Sequence, residues 1–217
     1  MKKKSIKKIN LKFYKLFKML LDFLFSIFFL ISSLPFFIII SILIKLSSRG
    51  PIFFLQERIG KNNIPFKCIK FRTMHSEAKD ILENLLMSDE KLKMEFEQTH
   101  KIKNDPRITT IGKLLRKTSL DELPQFINVL KNEMSIVGPR PIVKKEKKKY
   151  GKNFKKVLSV KPGITGLWQV SGRNNLSYKT RVKLDINYIE NYNFLMDIRI
   201  IIRTIGVILF PLDRGAY

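Results

Sequence analysis

The sequence is poor in the residues that staple or metallate a small protein. It has one cysteine, Cys68, which excludes an intramolecular disulfide and a thiolate metal cluster. Its two histidines, His75 and His100, argue against a multi-histidine metal site. Acidic residues are scarce: 18 Asp and Glu stand against 42 Lys and Arg, a formal net charge of +24. Such an excess points to an anionic partner, whether nucleic acid, an anionic membrane surface or a phosphorylated substrate. Richness in Lys, Ile, Asn and Phe also matches the bias of an AT-rich genome, so the lysine count alone does not choose among them. At 217 residues the chain suffices for one globular domain plus an appendage. Residues 51–217 alone are enough to bury a sizeable core.

Charge is also missing locally. Residues 1–18 carry eight lysines and no acid, and Phe23 to Ile44 then runs 22 residues without a charge. As a straight helix that run is ~33 Å long, enough to cross a hydrocarbon core. It is too long for a cleavable signal peptide, and no small-x-small site follows it. Ser32, Ser33 and Pro35 sit at its middle, where a proline frees a backbone carbonyl and bends a helix. Lysines precede the run, and Lys45, Arg49, Arg58 and Lys61 follow it, so the positive-inside rule gives no orientation for a crossing. A kinked hairpin that enters and leaves one leaflet satisfies both observations. A single-pass anchor is the alternative.

Beyond Arg49-Gly50-Pro51, residues 51–74 read as a short β-hairpin around Gly60-Lys61-Asn62-Asn63. Residues 76–98 are helical in pattern, with Ile81, Leu85, Leu86, Leu92 and Phe96 as apolar positions, and Asn104-Asp105-Pro106 breaks them. A helix is expected from Asp121 to Lys131. Lys144 to Lys156 holds eight lysines and one glutamate, which reads as a solvated face. Beside an anionic bilayer it would add ~1 kcal/mol of attraction per lysine. Residues 161–174 form a Gly-rich loop or tight strand region, and 178–191 a helix. Residues 194–210 read as a very apolar helix interrupted by Asp197, Arg199 and Arg203. That helix either lies on a membrane or packs in the core. There are no internal repeats. The fold class is α/β, mostly helical with a small β element. The expected units are a basic amphipathic segment (1–18), a re-entrant membrane hairpin (19–48) and a membrane-resting catalytic domain (49–217).

Chemistry concentrates between Lys117 and Pro141, where the adjacent carboxylates Asp121 and Glu122 stand out from a basic background. Ser119-Leu120-Asp121-Glu122 fits a capping box, and Asp121 fits an N-cap with Pro124 in the first turn. Either way the pair lies at a helix N-terminus, which also stabilises anions. A carboxylate can attack phosphorus, and its neighbour can help hold Mg²⁺ shared with substrate phosphates. Capping and catalysis both stay open on these residues. Arg140 between Pro139 and Pro141, and Arg173 after Gly172, sit in constrained loops suited to bidentate phosphate contacts. Arg116, Lys70 and Arg72 are further candidates, each with a solvated surface charge as its plain alternative. Trp168, the single tryptophan, reads as core rather than base-stacking.

Taken in order, the apolar segment with Pro35, PIFFLQERIG, CIKFRTM, LRKTSLDELPQFINVLKNEMSIVGPRP and KPGITGLWQVSGRN resemble the bacterial sugar transferase family. These are the monotopic phosphoglycosyl transferases that start bacterial glycan assembly, and the resemblance runs from about Lys18 to Thr204. It implies transfer of a sugar 1-phosphate from a UDP-sugar to polyprenyl phosphate, with UMP leaving. It implies Asp121 as the nucleophile that forms a phosphosugar-enzyme intermediate, and Glu122 as support for Mg²⁺ binding. Phosphate binding falls on Lys70, Arg72, Arg116, Arg140 and Arg173. The implied partners are a UDP-sugar, polyprenyl phosphate and anionic lipids, not nucleic acid, with downstream glycosyltransferases as candidates. The implied place is the bacterial inner membrane, with the catalytic domain on the cytoplasmic face and the membrane helix re-entrant. The chain departs from the family's Ser-Pro helix break: Leu34 precedes Pro35, leaving Ser33 or Ser32 to supply the hydroxyl. It reads as the short form, without the additional N-terminal membrane helices of larger relatives. The motifs name neither the sugar nor an oligomeric state. The rival class is a non-enzymatic, membrane-anchored polyanion binder, which explains the charge and the anchor but not Asp121-Glu122 or the Pro-flanked Arg140. Direct attack of the lipid phosphate on the UDP-sugar is the alternative within the enzyme class.

Overall fold

The computed structural model describes residues 2–99, 102 and 104–209. Side chains of residues 1–12 and all of residues 210–217 lie outside that description, and so do parts of the expected first and last units. Helix α1 (Lys2–Ser32) is continuous, so the expected boundary after residue 18 falls inside one helix. Helix α2 (Leu34–Ser47) follows after Ser33. No single described helix is long and apolar enough to cross a membrane. Phe13–Ser32 and Leu34–Ser47 together are, and they are bent by 62°. Pro35 lies in the first turn of α2, where its missing N–H does no harm to that helix but cannot continue α1. Both serines answer the departure at Leu34. Ser33 Oγ donates to the Phe29 carbonyl at 2.6 Å, and Ser32 Oγ donates to the same oxygen at 3.1 Å.

Strands β1 (Phe53–Ile59) and β2 (Pro65–Phe71) pair antiparallel from Phe53↔Phe71 to Ile59↔Pro65, which is the expected hairpin. A 3-10 turn at Lys61–Asn63 joins them, with Asn62 and Asn63 at φ 56° and 66°, a region asparagine tolerates better than most residues. The expected helix over 76–98 is two: α3 (Ala78–Ser88) and α4 (Glu90–Thr99). Asp89 breaks it, extended at φ −139° and accepting the Leu92 N–H on its side chain at 3.0 Å. That carboxylate caps a new helix, which ends the old one.

Helix α5 (Thr110–Thr118) starts on the Thr109 cap. Helix α6 (Gln125–Leu130) leads into β3 (Ser135–Val137). Short helices α7 (Lys147–Tyr150) and α8 (Phe154–Val157) carry the lysine cluster. Strand β4 (Gly163–Thr165) pairs parallel with β3, and α9 (Leu167–Ser171), α10 (Tyr178–Asn191) and α11 (Phe194–Leu209) follow. The β3–β4 pair holds the 138–141 loop: Gly138 donates to Thr165 and Gly163 donates to the Pro139 carbonyl. A Cβ on Gly138 or Gly163 would run into the opposing backbone, so both must be glycine.

Helix α11 has one face in the core and an apolar face outside it. Asp197 and Ile200 turn into the core, while Leu195, Ile198, Ile202, Ile205 and Leu209 form an exposed stripe at helical spacing. The buried Asp197 carboxylate ties α1, α10 and α11 together. It pairs with Lys18 at 2.6 Å and accepts the hydroxyls of Tyr14 at 2.7 Å and Tyr188 at 2.8 Å. One turn further along α1, Asp22 accepts Ser135 Oγ at 2.6 Å and the Ile136 N–H at 3.3 Å. The Phe29 ring stacks on Phe126 of α6 at 4.2 Å. Removing one member of a buried pair strands the other. Asp197→Ala should therefore destabilise the protein by about 3–5 kcal/mol, read as a lowered midpoint of thermal unfolding in detergent.

Candidate active site

The end of α5 shapes the site. Ser119 closes that helix in the left-handed region at φ 59°, and Leu120–Glu122 continue as a 3-10 turn. The expected capping box is not formed. Ser119 makes no side-chain cap bond, and α6 begins at Gln125 rather than Asp121, with Pro124 in the cap position. Once Ser119 closes α5, its side chain is no longer placed to cap the next helix. Asp121 and Glu122 are thereby left free of capping duty.

Asn128, fully buried, stitches α6 to β2. Its amide accepts from the Ile69 N–H at 3.0 Å and donates to the Lys67 carbonyl at 2.8 Å. That register brings Lys70 Nζ to Glu122 Oε1 at 2.6 Å. Arg140 Nη1 lies 3.6 Å from the same oxygen, with its guanidinium over the Trp168 ring at 6.0 Å. Trp168 is buried, as expected, and Arg181 lies over its ring at 4.8 Å. Arg116 donates Nε to Thr73 Oγ1 at 2.9 Å, and Asp121 is the strongest opposite charge acting on it. Arg173, at φ 52°, feels the field of Glu122.

The structure thus brings Lys70, Arg116, Arg140 and Arg173 around the carboxylate pair, but not Arg72. Arg72 is buried just past the end of β2 and donates to the carbonyls of Arg49 at 2.6 Å, Ser48 at 2.7 Å and Ile44 at 3.4 Å. Those carbonyls lie at and just beyond the end of α2, so Arg72 clamps the end of the bent hairpin.

Lys70, Glu122 and Arg140 line a solvent-open cleft. Arg58, Cys68 and Gln125 line it too, and sequence reading had given none of them a role. Arg58 reads in the sequence as a membrane-flanking charge, and Gln125 falls inside the helix expected over Asp121 to Lys131. Their motif positions, QER and LPQ, were the available signal.

The two carboxylates divide their proton affinities. Burial, then the Glu122 charge, pushes Asp121 up to about 6. Burial would also raise Glu122, but Lys70 and Arg140 more than offset it and hold Glu122 below the usual carboxylate range. The pair therefore loses its first proton from Glu122 and its second from Asp121. No group of three or more His, Cys, Asp or Glu among the described residues could hold a metal ion. Asp121 and Glu122 are two adjacent hard oxygen donors, which suits an ion that takes one or two carboxylates and draws its other ligands from substrate phosphates and water.

A carboxylate pair among basic side chains has the chemistry to take phosphorylated ligands. The chain belongs to the bacterial sugar transferase family, whose profile matches residues 13–211. It is similar to the exopolysaccharide production protein ExoY of Sinorhizobium fredii, at 44% identity over 90% of this chain and 86% of that protein. It is 48% identical to the undecaprenyl-phosphate galactose phosphotransferase of Salmonella typhimurium, over 74% of this chain and 34% of that protein. It is 38% identical to the UDP-glucose:undecaprenyl-phosphate glucose-1-phosphate transferase of Klebsiella pneumoniae, over 87% and 39%. The chain thus spans most of the first relative and little more than a third of the other two.

Glu122→Gln removes a charge that raises Asp121. The Asp121 midpoint should then fall toward the ordinary aspartate range, while Lys70→Met should move the Glu122 midpoint up. Carboxyl ¹³C titration of labelled protein reads both.

Proposed function

We propose that this protein moves a sugar 1-phosphate from a UDP-sugar to polyprenyl (undecaprenyl) phosphate, releasing UMP and starting the assembly of a bacterial polysaccharide or protein glycan. The observation that carries this is the Asp121-Glu122 pair, free of capping bonds and ringed by Lys70, Arg116, Arg140 and Arg173. An Asp121 carboxylate oxygen attacks the phosphorus bonded to the sugar. The bond from that phosphorus to the UMP oxygen breaks, and UMP leaves with the electron pair. An oxygen of the lipid phosphate then attacks the same phosphorus, which breaks the bond to Asp121 and restores its carboxylate. Lys70, Arg140, Arg116 and Arg173 offset the charge of the phosphates. Glu122, kept ionised by Lys70 and Arg140, orients those cations and, with Asp121, would hold Mg²⁺, which supplies charge neutralisation to the diphosphate.

The same reading sets the protein at the membrane. The bent α1–α2 pair lies re-entrant in the cytoplasmic leaflet of the inner membrane, and residues 49–217 rest as a catalytic domain on its inner face. The exposed α11 stripe lies in the headgroup region beside Arg199 and Arg203. The lysines of α7 and α8 attract anionic lipid. A re-entrant hairpin puts the lipid phosphate and the water-soluble sugar nucleotide at one depth. The relatives are named for galactose and for glucose, so the donor is found by assay of several UDP-sugars.

Detergent-purified protein with Mg²⁺ and polyprenyl phosphate should release UMP from at least one UDP-sugar. Asp121→Asn should lose about 10³-fold or more of that activity. Activity that survives the substitution would remove Asp121 from the mechanism. The nucleophile acts ionised, and burial raises its proton affinity, so kcat/KM should rise with pH and level off above an apparent pKa of about 6. A flat acidic limb down to pH 5 would contradict the assignment.

A further inference from the structure

Two side chains in the cavity wall have no part in the transfer steps above. Arg58 projects from β1 and is held only by neutral acceptors. Its Nε and Nη2 donate to Gln56 Oε1 at 3.2 and 2.6 Å, and its Nη1 donates to the Pro141 carbonyl at 2.9 Å. A guanidinium has five N–H donors. Three are used, so two remain, and Arg58 forms no ion pair among the described residues. Lys70 and Arg140 share Glu122, whereas Arg58 is a half-buried cation in the same wall without a direct ion pair among the described residues. Burial and the like charge of Arg140 weigh against its ionised form, and the more distant charges of Glu146 and Glu122 offset them only in part; a bound anion would relieve the remainder.

Gln125 stands in the first turn of α6, three residues after Glu122, and is 2% exposed. Its side chain lines the cavity, and its amide makes no hydrogen bond among the described residues. It offers a donor pair and an acceptor, which match a hydroxyl better than a phosphate oxygen alone. The wall therefore presents three cations, one carboxylate and one amide around a solvent-open cleft. That excess of two positive charges matches the two negative charges of a sugar nucleotide's diphosphate. The amide suits the uncharged polyol beside it.

We propose that Arg58 and Gln125 form a subsite for the sugar 1-phosphate portion of the donor, Arg58 gripping a phosphate oxygen and Gln125 a sugar hydroxyl. This rests on the transferase reading. The free phosphate of the lipid acceptor carries the same anionic chemistry but no hydroxyls, so the two substrates separate the roles. Arg58 also braces the 138–141 loop through Pro141, and its substitution has to be read against that structural role.

Steady-state kinetics of Arg58→Gln, Arg58→Lys and Gln125→Leu against each substrate test the subsite. Arg58→Gln should raise KM for the UDP-sugar about tenfold or more, the scale of one charge-assisted hydrogen bond. KM for polyprenyl phosphate should stay within about twofold. Arg58→Lys keeps the charge without the fork and should fall between. Gln125→Leu, which keeps the bulk, should raise the donor KM and change the ratio of kcat/KM between UDP-glucose and UDP-galactose. Equal rises in both KM values, or a fall in kcat alone with a lowered unfolding midpoint, would make Arg58 a loop brace and overturn the subsite. An unchanged donor KM and epimer ratio in Gln125→Leu would likewise overturn the hydroxyl contact. Wild-type protein that releases no UMP from any donor would instead sink the transferase reading, and the subsite with it.

Discussion

The arrangement hangs on one buried carboxylate. Asp197 gathers Lys18 and Tyr14 from α1 and Tyr188 from α10, and it does so from the inward face of α11. Helix α1 is otherwise apolar along the face that meets α6, and apolar contacts slide more easily than charged ones. Asp197, with Asp22 on Ser135 and Ile136, fixes the depth and rotation of α1. The bend at Ser33 and the start of α6 then follow at set positions. A catalytic group beside a membrane needs this constraint, because its two ligands arrive from different phases.

From that frame the electrostatics follow. Two adjacent carboxylates in a partly buried site repel one another, and the cations around them decide which keeps its proton longer. Asn128 sets α6 against β2 so that Lys70 reaches Glu122 rather than Asp121. Glu122 is then the permanent anion, and Asp121 is the carboxylate with the raised proton affinity. A more basic carboxylate is the better nucleophile once ionised, so on the proposed mechanism the neighbour that looks redundant in sequence tunes Asp121. Arg140 owes its position to backbone: the β3–β4 pair, two glycines that admit no Cβ, and flanking prolines.

Much of this was legible in the residues. The bend could be read from Pro35 and two serines, because helix chemistry is local. The β1–β2 hairpin could be read from its turn, and α10 from its periodicity. The misses are non-local or involve competition. The β3–β4 pairing joins three-residue strands far apart in sequence, too short to leave a period. The capping box at Ser119 failed because the same residue was needed to close α5. Nor could the sequence show that carbonyls at the end of α2, brought close by folding, hold the Arg72 guanidinium. Asp89 split a helix that apolar periodicity joined, since capping does not register in that pattern. Arg58 and Gln125 stayed hidden because a cavity wall is assembled from separate motifs.

The most direct test is intact-protein and peptide mass spectrometry of the purified protein after a brief exposure to its UDP-sugar with Mg²⁺ and without lipid acceptor. The account predicts an adduct of one sugar phosphate on the peptide that contains Asp121, formed with matching UMP and discharged when polyprenyl phosphate is added. No adduct, with UMP released only when the acceptor is present, would contradict it and leave direct attack by the lipid phosphate.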